Sequence, residues 1–246
     1  MQTILDRVRP VGFLKRYKWR VLEPVLGAYD LAELRSDQQF CAKRGVQLLP
    51  MIEDKTFRLE LPLPDYLGLH CLPNQTGGYT AVRWHPYVVE RYKALVAKLG
   101  CDYAIQETAL GYTTEQLAAT GYSAQALVAA YSDIIRSSPH KAYLHFNYLT
   151  GGQTRIPEVV KGLKNVAAGG PDTWPTNDGL TRLAYPLYPK MGCPLFLGMS
   201  IPSYDQVGYT IRQTYEFALA LGVEQVFWVY HKPVFDEVVA IIKGES

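Results

Sequence analysis

The chain has 246 residues, of which 48% are apolar and 20% charged, the composition of an ordinary globular protein. This length suits one α/β barrel or two smaller domains. No stretch approaches the ~20 apolar residues that span a bilayer. The 25 basic and 23 acidic side chains form no block of Lys and Arg that could neutralise a run of phosphates. We therefore expect neither a membrane nor a nucleic acid as a partner.

Aromatic and cysteine content narrows the kind of site to expect. The 18 Tyr and 4 Trp mildly favour a sugar-binding cleft, because aromatic faces pack on the apolar faces of pyranose rings. The four cysteines are scattered singly, at positions 41, 71, 101 and 193, so we expect no metal and no other cofactor.

The N-terminal MQTILDRVRP lacks the apolar run of a secretory signal. The protein would be secreted or periplasmic if a signal had been removed, and cytoplasmic otherwise. We expect a monomer or a weak homo-oligomer.

Short apolar segments alternate with helix-like segments along the whole chain, a pattern typical of a parallel sheet covered by helices. Seven segments are predicted to be strands: Val11 to Trp19, Val46 to Glu53, Cys101 to Gln106, Lys141 to Asn147, Asn165 to Gly169, Pro194 to Met199, and Gln225 to Tyr230. Apolar residues at three- and four-residue spacing predict helices between them.

Seven strands are one short of a closed (β/α)8 TIM barrel. The missing unit could be an irregular strand before Val11 or a first strand absent from this chain. An open doubly wound sheet is the alternative, but no GxGxxG loop follows any predicted strand. We therefore expect a single catalytic (β/α)-barrel domain over residues 1–246. Lys55 to Trp84, rich in Pro and Gly, is predicted to be one long functional connection on the catalytic face.

Polar side chains cluster where the predicted strands end, which is where barrel enzymes carry their reacting groups. They are Trp19, Glu23, Glu53, Asp54, Gln106, Glu107, His145, Asn147, Asp172, Trp174, Ser200, Ser203, Tyr204, Trp228, Tyr230 and His231. Carboxylates, amides and aromatics dominate this set. That mixture suits carbohydrate hydrolysis, which needs two carboxyl groups, hydroxyl-binding groups and stacking faces.

Four segments carry a resemblance to a known family. KWRVLEPVLGAYD (Lys18 to Asp30) resembles the second-strand motif of clan A glycoside hydrolases, and GVQLLPMIED resembles their third strand. IQETALG resembles the fourth strand, which ends in the acid/base glutamate, and VFWVY resembles the eighth strand with its active-site tryptophan. The resemblance implies that Glu107 is the acid/base residue, that Trp228 floors the sugar site, and that the family's first strand is missing or cryptic.

The sequence departs from that family at two positions. The family usually has Asn before the acid/base residue, where this chain has Gln106, and either amide can hydrogen-bond a sugar hydroxyl. The family's nucleophile is a Glu at the end of strand seven, but here that strand is PLFLGMSIPSY and contains no carboxylate before Tyr204. The standard retaining mechanism therefore cannot simply be carried over.

Glu107 is the predicted proton donor. It follows an apolar strand, and burial there would raise the pKa of its carboxyl and keep the proton available for a leaving oxygen. Alternatively it is a structural acid beside the next helix.

Asp172 is the predicted partner carboxylate, because the Gly and Pro of AAGGPDTWP constrain the backbone around it. A plain Pro-Asp turn that caps a helix is the competing interpretation. Separations of ~6.5–9.5 Å accompany inversion and ~5–5.5 Å retention, and this pair suggests the former.

The predicted substrate-binding residues are Trp19, Asp54, Gln106, Asn147, Trp174, Tyr204, Trp228 and His231. Asp54 would be structural if Lys55 were its ion-pair partner, and each aromatic could pack in the core instead. The predicted function is a glycoside hydrolase acting on an oligo- or polysaccharide. The alternatives are a catalytically inactive carbohydrate-binding barrel and, least favoured, an enzyme for a phosphorylated metabolite.

Overall fold

The structure is a computed structural model that describes residues 1–106, 110–146, 158–176, 184–205 and 208–245. Within these ranges the helices are α1 (Gln2–Leu5), α2 (Trp19–Leu22), α3 (Ala32–Ala42), α4 (Pro86–Leu99), α5 (Thr114–Ala119), α6 (Ala124–Arg136), α7 (Leu187–Lys190), α8 (Ile201–Tyr204), α9 (Ile211–Ala220) and α10 (Phe235–Lys243). The strands are β1 (Gly12–Lys18), β2 (Gln47–Glu53), β3 (Cys71–Pro73), β4 (Tyr79–Ala81), β5 (Tyr103–Ile105), β6 (Ala142–His145), β7 (Val166–Gly170), β8 (Leu195–Met199) and β9 (Gln225–Trp228). The described 3₁₀ helices include Asp65–His70 and Lys232–Val234. None of the described helices is long and apolar enough to cross a membrane.

Seven strands form one parallel sheet in the order β1-β2-β5-β6-β7-β8-β9. Six of them lie within predicted segments, and β7 runs one residue past its segment, to Gly170. The sheet curls into a half-barrel. The stretch before Val11 holds the helix α1 rather than a strand. Arg7 pairs with Asp236 at the start of α10, while Met1 lies against Cys41 at the end of α3. The N-terminal segment therefore links the helices that flank the two edges of the sheet.

Local signals in the sequence explain where several helices begin and end. α4 has Pro86 in its first turn, the His85 ring as its N-cap, and Gly100 at a φ of 61° as its C-cap. Thr113 and Thr210 begin α5 and α9 with capping boxes, in which the side chain accepts a hydrogen bond from a backbone N–H three residues on.

The two faces of the sheet bury different sets of side chains, because successive residues of a strand alternate in direction. The outer face packs against the helices in the main core, which includes Leu48 and Ile52 of β2. The inner face carries a smaller cluster: Leu14, Leu49, Met51, Ala104, Tyr143, Ala167, Phe196 and Phe227. A third cluster joins β8 and β9 to α8, α9 and α10 on the outside. This alternation decides which strand-end residues can face the interior of the half-barrel.

The long connection after β2 has more structure than its sequence suggested. It contains the first 3₁₀ helix and the antiparallel pair β3-β4. Thr80 of β4 donates through Oγ1 to the carbonyl oxygen of Leu110 at 3.0 Å, and Gln75 N donates to Gly111 O at 2.6 Å. This hairpin therefore packs beside the segment that follows β5, at the carboxyl end of the sheet.

Candidate functional site

The carboxyl end of the parallel sheet gathers most of the predicted site residues, as expected for strands that all run in one direction. Glu107 and Asn147 lie outside the described residues. The other predicted residues fall into two groups. Some have side chains that pack or hydrogen-bond within the protein, and the others have side chains at the carboxyl end of the sheet.

Asp172 lies at the end of β8, although it follows β7 in the chain. Gly170 ends β7, and the backbone then crosses so that Asp172 forms an antiparallel bridge with Met199. Ser200, the residue after β8, donates from Oγ to Oδ1 of Asp172 at 2.5 Å. The crossing needs a glycine, since a Cβ on Gly198 would come within 2.6 Å of the Pro171 Cα. The fold therefore brings a carboxylate to a strand that carries none of its own.

The backbone around Asp172 is held by a second serine. Ser203 Oγ accepts hydrogen bonds from the backbone N–H of Thr173 at 3.1 Å and of Ser200 at 3.3 Å. Ser203 is buried, whereas Asp172 is partly exposed. A carboxylate that accepts from a hydroxyl and keeps some access to solvent can act as a base, a nucleophile or a hydroxyl acceptor.

Asp54 is a member of a buried ion pair. Its Oδ1 and Oδ2 accept from the Arg83 guanidinium at 2.7 and 2.8 Å, and both side chains are almost fully enclosed. The partner is Arg83, which is 29 residues away, and not the adjacent Lys55 considered from the sequence. This two-point contact occupies the carboxylate, so in this structure Asp54 offers no free face to a substrate.

Gln106 is likewise engaged within the protein. Its Oε1 accepts from the backbone N–H of Asp54 at 3.1 Å, and its Nε2 donates to the carbonyl oxygen of Lys55 at 3.4 Å. The side chain is fully buried. It ties the end of β5 to the end of β2, rather than presenting an amide to a sugar.

Trp19 is fully buried in the main core. Its Nε1 donates to Glu23 at 3.1 Å, and its ring meets Tyr92 edge to face at 5.1 Å between centroids. Glu23 also accepts from the backbone N–H of Gly27 and from Arg91. The EP…G.YD motif thus builds a buried polar network beneath the strand end, and the enclosed indole offers no stacking face.

Trp228 points to the outer face of the sheet. It pairs in register with Met199, packs in the outer cluster and lies against Tyr215 of α9 at 5.2 Å between ring centroids. The neighbouring Phe227 takes the inward position. The expectation that Trp228 floors the site is therefore corrected by strand alternation, which turns its ring toward the helices.

Three further aromatics remain near the end of β8 and β9. Tyr204 is buried and donates to the carbonyl oxygen of Val229 at 2.7 Å, and its ring is nearly parallel to that of the partly exposed His231 at 6.3 Å between centroids. Trp174 is partly exposed and lies two residues beyond Asp172. Trp174 and His231 are thus the predicted ring side chains with access to this part of the face.

Sequence reasoning gave no role to two residues that the structure places prominently. Ser200 contacts Asp172, and no local pattern could show this because the two residues follow different strands. Glu53 ends β2 in register with Lys18, two residues beyond the inward-facing Met51. The alternation of side chains along β2, counted from the inward-facing Leu49 and Met51, would have indicated that Glu53 faces inward. His145 also points inward and is buried, with its ring 4.6 Å from that of Phe196.

Among the described residues, no three His, Cys, Asp or Glu side chains cluster closely enough to hold a metal ion. The carboxyl face is therefore characterised by carboxylates, hydroxyls and rings.

Comparisons with known proteins bear on the fold. No family model and no curated protein matches the sequence. Among solved structures, the chain resembles an endo-glycoceramidase II from Rhodococcus sp. at 17% identity and a TM-score of 0.56, covering 88% of this chain and 63% of that one. An exo-β-1,4-mannosidase from Opitutaceae bacterium strain TAV5 gives 12% identity, a TM-score of 0.54, and coverage of 93% and 48%. A β-galactosidase from the psychrophilic Marinomonas ef1 gives 12%, 0.55, and coverage of 87% and 49%.

The chain spans less than two thirds of the length of each of these three structures. At these identities the likeness concerns the fold and not the activity. All three are glycosidases with the curled parallel sheet of a TIM barrel. The chain accordingly has a TIM-barrel-like fold.

Proposed function

We propose that the protein hydrolyses glycosidic bonds of an oligo- or polysaccharide, with Glu107 as the proton donor and Asp172 as the partner carboxylate. The observation that carries this proposal is the placement of Asp172 at the end of β8, held by Ser200. β8 is the strand whose sequence resembles strand seven of clan A glycoside hydrolases, the strand that carries their nucleophile.

The strand order supports the pairing of these two acids. Glu107 follows β5 in the chain, and β8 lies three strands further along the sheet. Residues at such positions of a curled sheet face each other across its interior. A sugar bound between them would meet a proton donor on one side and a carboxylate on the other.

The partner carboxylate has surroundings that suit a base. Ser200 Oγ donates to Oδ1 of Asp172 and orients the carboxylate, which is partly exposed to solvent. We infer single displacement with inversion at the anomeric carbon, which goes with carboxyl separations of ~6.5–9.5 Å that leave room for a water.

The competing proposal is a carbohydrate-binding barrel without catalysis. Its motivation is that β8 has no carboxylate of its own. The position of Asp172 favours the enzyme, because this acid, which follows β7 in the chain, lies at the end of β8.

Two variants test the mechanism against this rival. Glu107→Gln and Asp172→Asn should each lower turnover on the cleaved glycan by at least about 10³-fold, since both acids are required. Asp133→Asn on α6, whose carboxylate pairs with Lys93, is the matched control and should stay active. Substrates would be sought among glucans, mannans, xylans and galactans.

The outcomes separate the alternatives. Near-normal activity of Glu107→Gln would remove that residue from the mechanism. Activity retained in Asp172→Asn but lost in Asp205→Asn would reassign the partner acid. Binding of a glycan in calorimetry without any hydrolysis would favour the binding protein, and NMR of the first-formed sugar would decide between inversion and retention.

A further inference from the structure

Glu53 is a carboxylate on the inner face of the half-barrel that the proposed acid pair does not use. It is the last residue of β2, and it follows Leu49 and Met51 at intervals of two. Leu48 and Ile52, which have the opposite parity, belong to the outer core. Alternation therefore directs Glu53 inward at the carboxyl end, and the side chain is partly exposed there.

The next strand places a cation beside Glu53. Lys18 is its register partner on β1 and has the same inward parity as Leu14. The Lys18 Nζ contacts both carboxylate oxygens of Glu60, at 2.7 and 2.8 Å. Glu60 belongs to the long connection after β2, so this contact also holds that connection against the end of β1.

Gln106, at the end of the neighbouring strand β5, is engaged with the backbone. Gln106 lies beyond the last register pair of β2 and β5, and its amide is already bonded to the backbone at Asp54 and Lys55. Asp54 is enclosed with Arg83. Of the three described polar residues at these two strand ends, Glu53 is the one that has both the inward direction and partial access.

We propose that Glu53 is a substrate-binding residue that accepts hydrogen bonds from sugar hydroxyls and thereby sets which sugar the cleft takes. An ionised carboxylate is an acceptor with two oxygens, which matches the hydroxyl donors on adjacent carbons of a pyranose. This assignment rests on the proposed function, because it makes the inner face the sugar site. It gives Glu53 a binding role, while bond cleavage belongs to Glu107 and Asp172.

The test is kinetic. Glu53→Gln and Glu53→Ala are compared with the wild type on p-nitrophenyl glycosides of glucose, galactose, mannose and xylose, and on monodeoxy forms of the one best cleaved. Glu33→Gln is the matched control, since Glu33 pairs with Lys15 on the outer face of β1. We expect KM to rise on the order of 10- to 100-fold in the Glu53 variants, with kcat within about threefold, as for a hydrogen bond to a charged group.

The deoxy series supplies a readout that a structural role would not move. For one monodeoxy substrate, the KM of the wild type should be raised as much as the KM of Glu53→Ala is raised for the parent sugar. The KM of Glu53→Ala should rise little further when it is given that deoxy substrate. An unchanged KM, or a loss confined to kcat, would overturn the assignment. Equal thermal midpoints of the variants and the control establish that folding is intact.

Calorimetry separates failure of this inference from failure of the proposed function. Cellobiose, lactose and mannobiose are titrated into the wild type, Glu53→Gln and Glu33→Gln. If no glycoside is hydrolysed but one disaccharide binds, weaker binding in Glu53→Gln alone upholds Glu53 as a sugar ligand. Equal affinity in all three proteins, or no binding to the wild type, overturns it.

Discussion

The Oγ of Ser200 lies 2.5 Å from Oδ1 of Asp172, although the two residues follow different strands and are 28 positions apart. This hydrogen bond fixes one acid of the proposed pair at the end of β8. Replacing Ser200 with Ala should release the Asp172 carboxylate without removing it. We expect kcat/KM to fall about tenfold, the effect of losing one positioning contact, with the thermal midpoint nearly unchanged.

The control for this variant is Ser123→Ala, which removes the serine N-cap of α6, a helix that lies between β5 and β6 in the chain and not beside β8. It should lower stability by about 1 kcal/mol and leave the kinetics intact. Full activity in Ser200→Ala would show that Asp172 needs no such support.

Gly198→Ala should disturb the crossing that carries Asp172. A Cβ there would lie 2.6 Å from the Pro171 Cα and 2.7 Å from its carbonyl oxygen, both of them backbone atoms. We expect a destabilisation of about 1–3 kcal/mol from overpacking and a loss of activity larger than that of Ser200→Ala. Gly68→Ala is the matched control, because nothing lies within 4 Å of the added methyl. Chemical denaturation and kinetics together check both effects, and a native-like Gly198→Ala would contradict the close approach.

The Asp54–Arg83 pair is expected to support stability rather than contact sugar. Removing one partner leaves the other charge buried, at a cost of about 3–5 kcal/mol. Asp54→Asn and Arg83→Met should each be destabilised to this extent, while the double variant should cost less than the sum. Urea unfolding of the four proteins measures the coupling. Additive losses would indicate that the two side chains do not depend on each other.

Trp228→Ala should reduce stability and leave sugar binding unchanged. The indole is partly exposed and packs on Tyr215 of α9 outside the sheet, so we expect a loss of about 2–4 kcal/mol, near the lower range for Trp truncation. Trp174→Ala is the informative comparison, since Trp174 lies beside Asp172 on the carboxyl face. If Trp228→Ala instead weakened glycan binding in a folded protein, its outward placement would be contradicted.

Glu23 should make stability depend on pH in acid. Burial opposes ionisation of this carboxyl, but hydrogen bonds from its neighbours, including Gly27 N, Trp19 Nε1 and Arg91, outweigh it and lower its pKa. A carboxyl with a lowered pKa in the folded state stabilises the protein above its unfolded value of 4.5. This contribution is lost as the pH falls below that value and through the lower folded pKa.

Glu23→Gln removes that titration. We expect the variant to be less stable at pH 7 and to lose less stability between pH 5 and pH 2 than the wild type does, as measured by urea unfolding at each pH. Parallel pH profiles of the two proteins would show that Glu23 contributes no linkage.

The sequence by itself determined the sheet and many of its boundaries. All seven parallel strands lie in segments predicted from apolar runs and flanking turns, apart from Gly170, which extends β7 by one residue, because burial on both faces requires such runs. The ends of α4, α5 and α9 follow from local capping residues such as Thr113 and Gly100. These features depend on residues a few positions apart, so a linear pattern contains the information for them.

Only the tertiary structure decided how the strand-end side chains are used. Trp228 turned outward because the register of β9 gave the inward position to Phe227. Asp54 pairs with Arg83 of the long connection, and Asp172, which follows β7, accepts a hydrogen bond from Ser200 at the end of the neighbouring β8. These contacts join residues far apart in the chain, where strand parity and loop path decide which groups meet. Loop path cannot be obtained from residue type and spacing alone, and strand parity can be obtained only where inner and outer residues alternate recognisably along the strand.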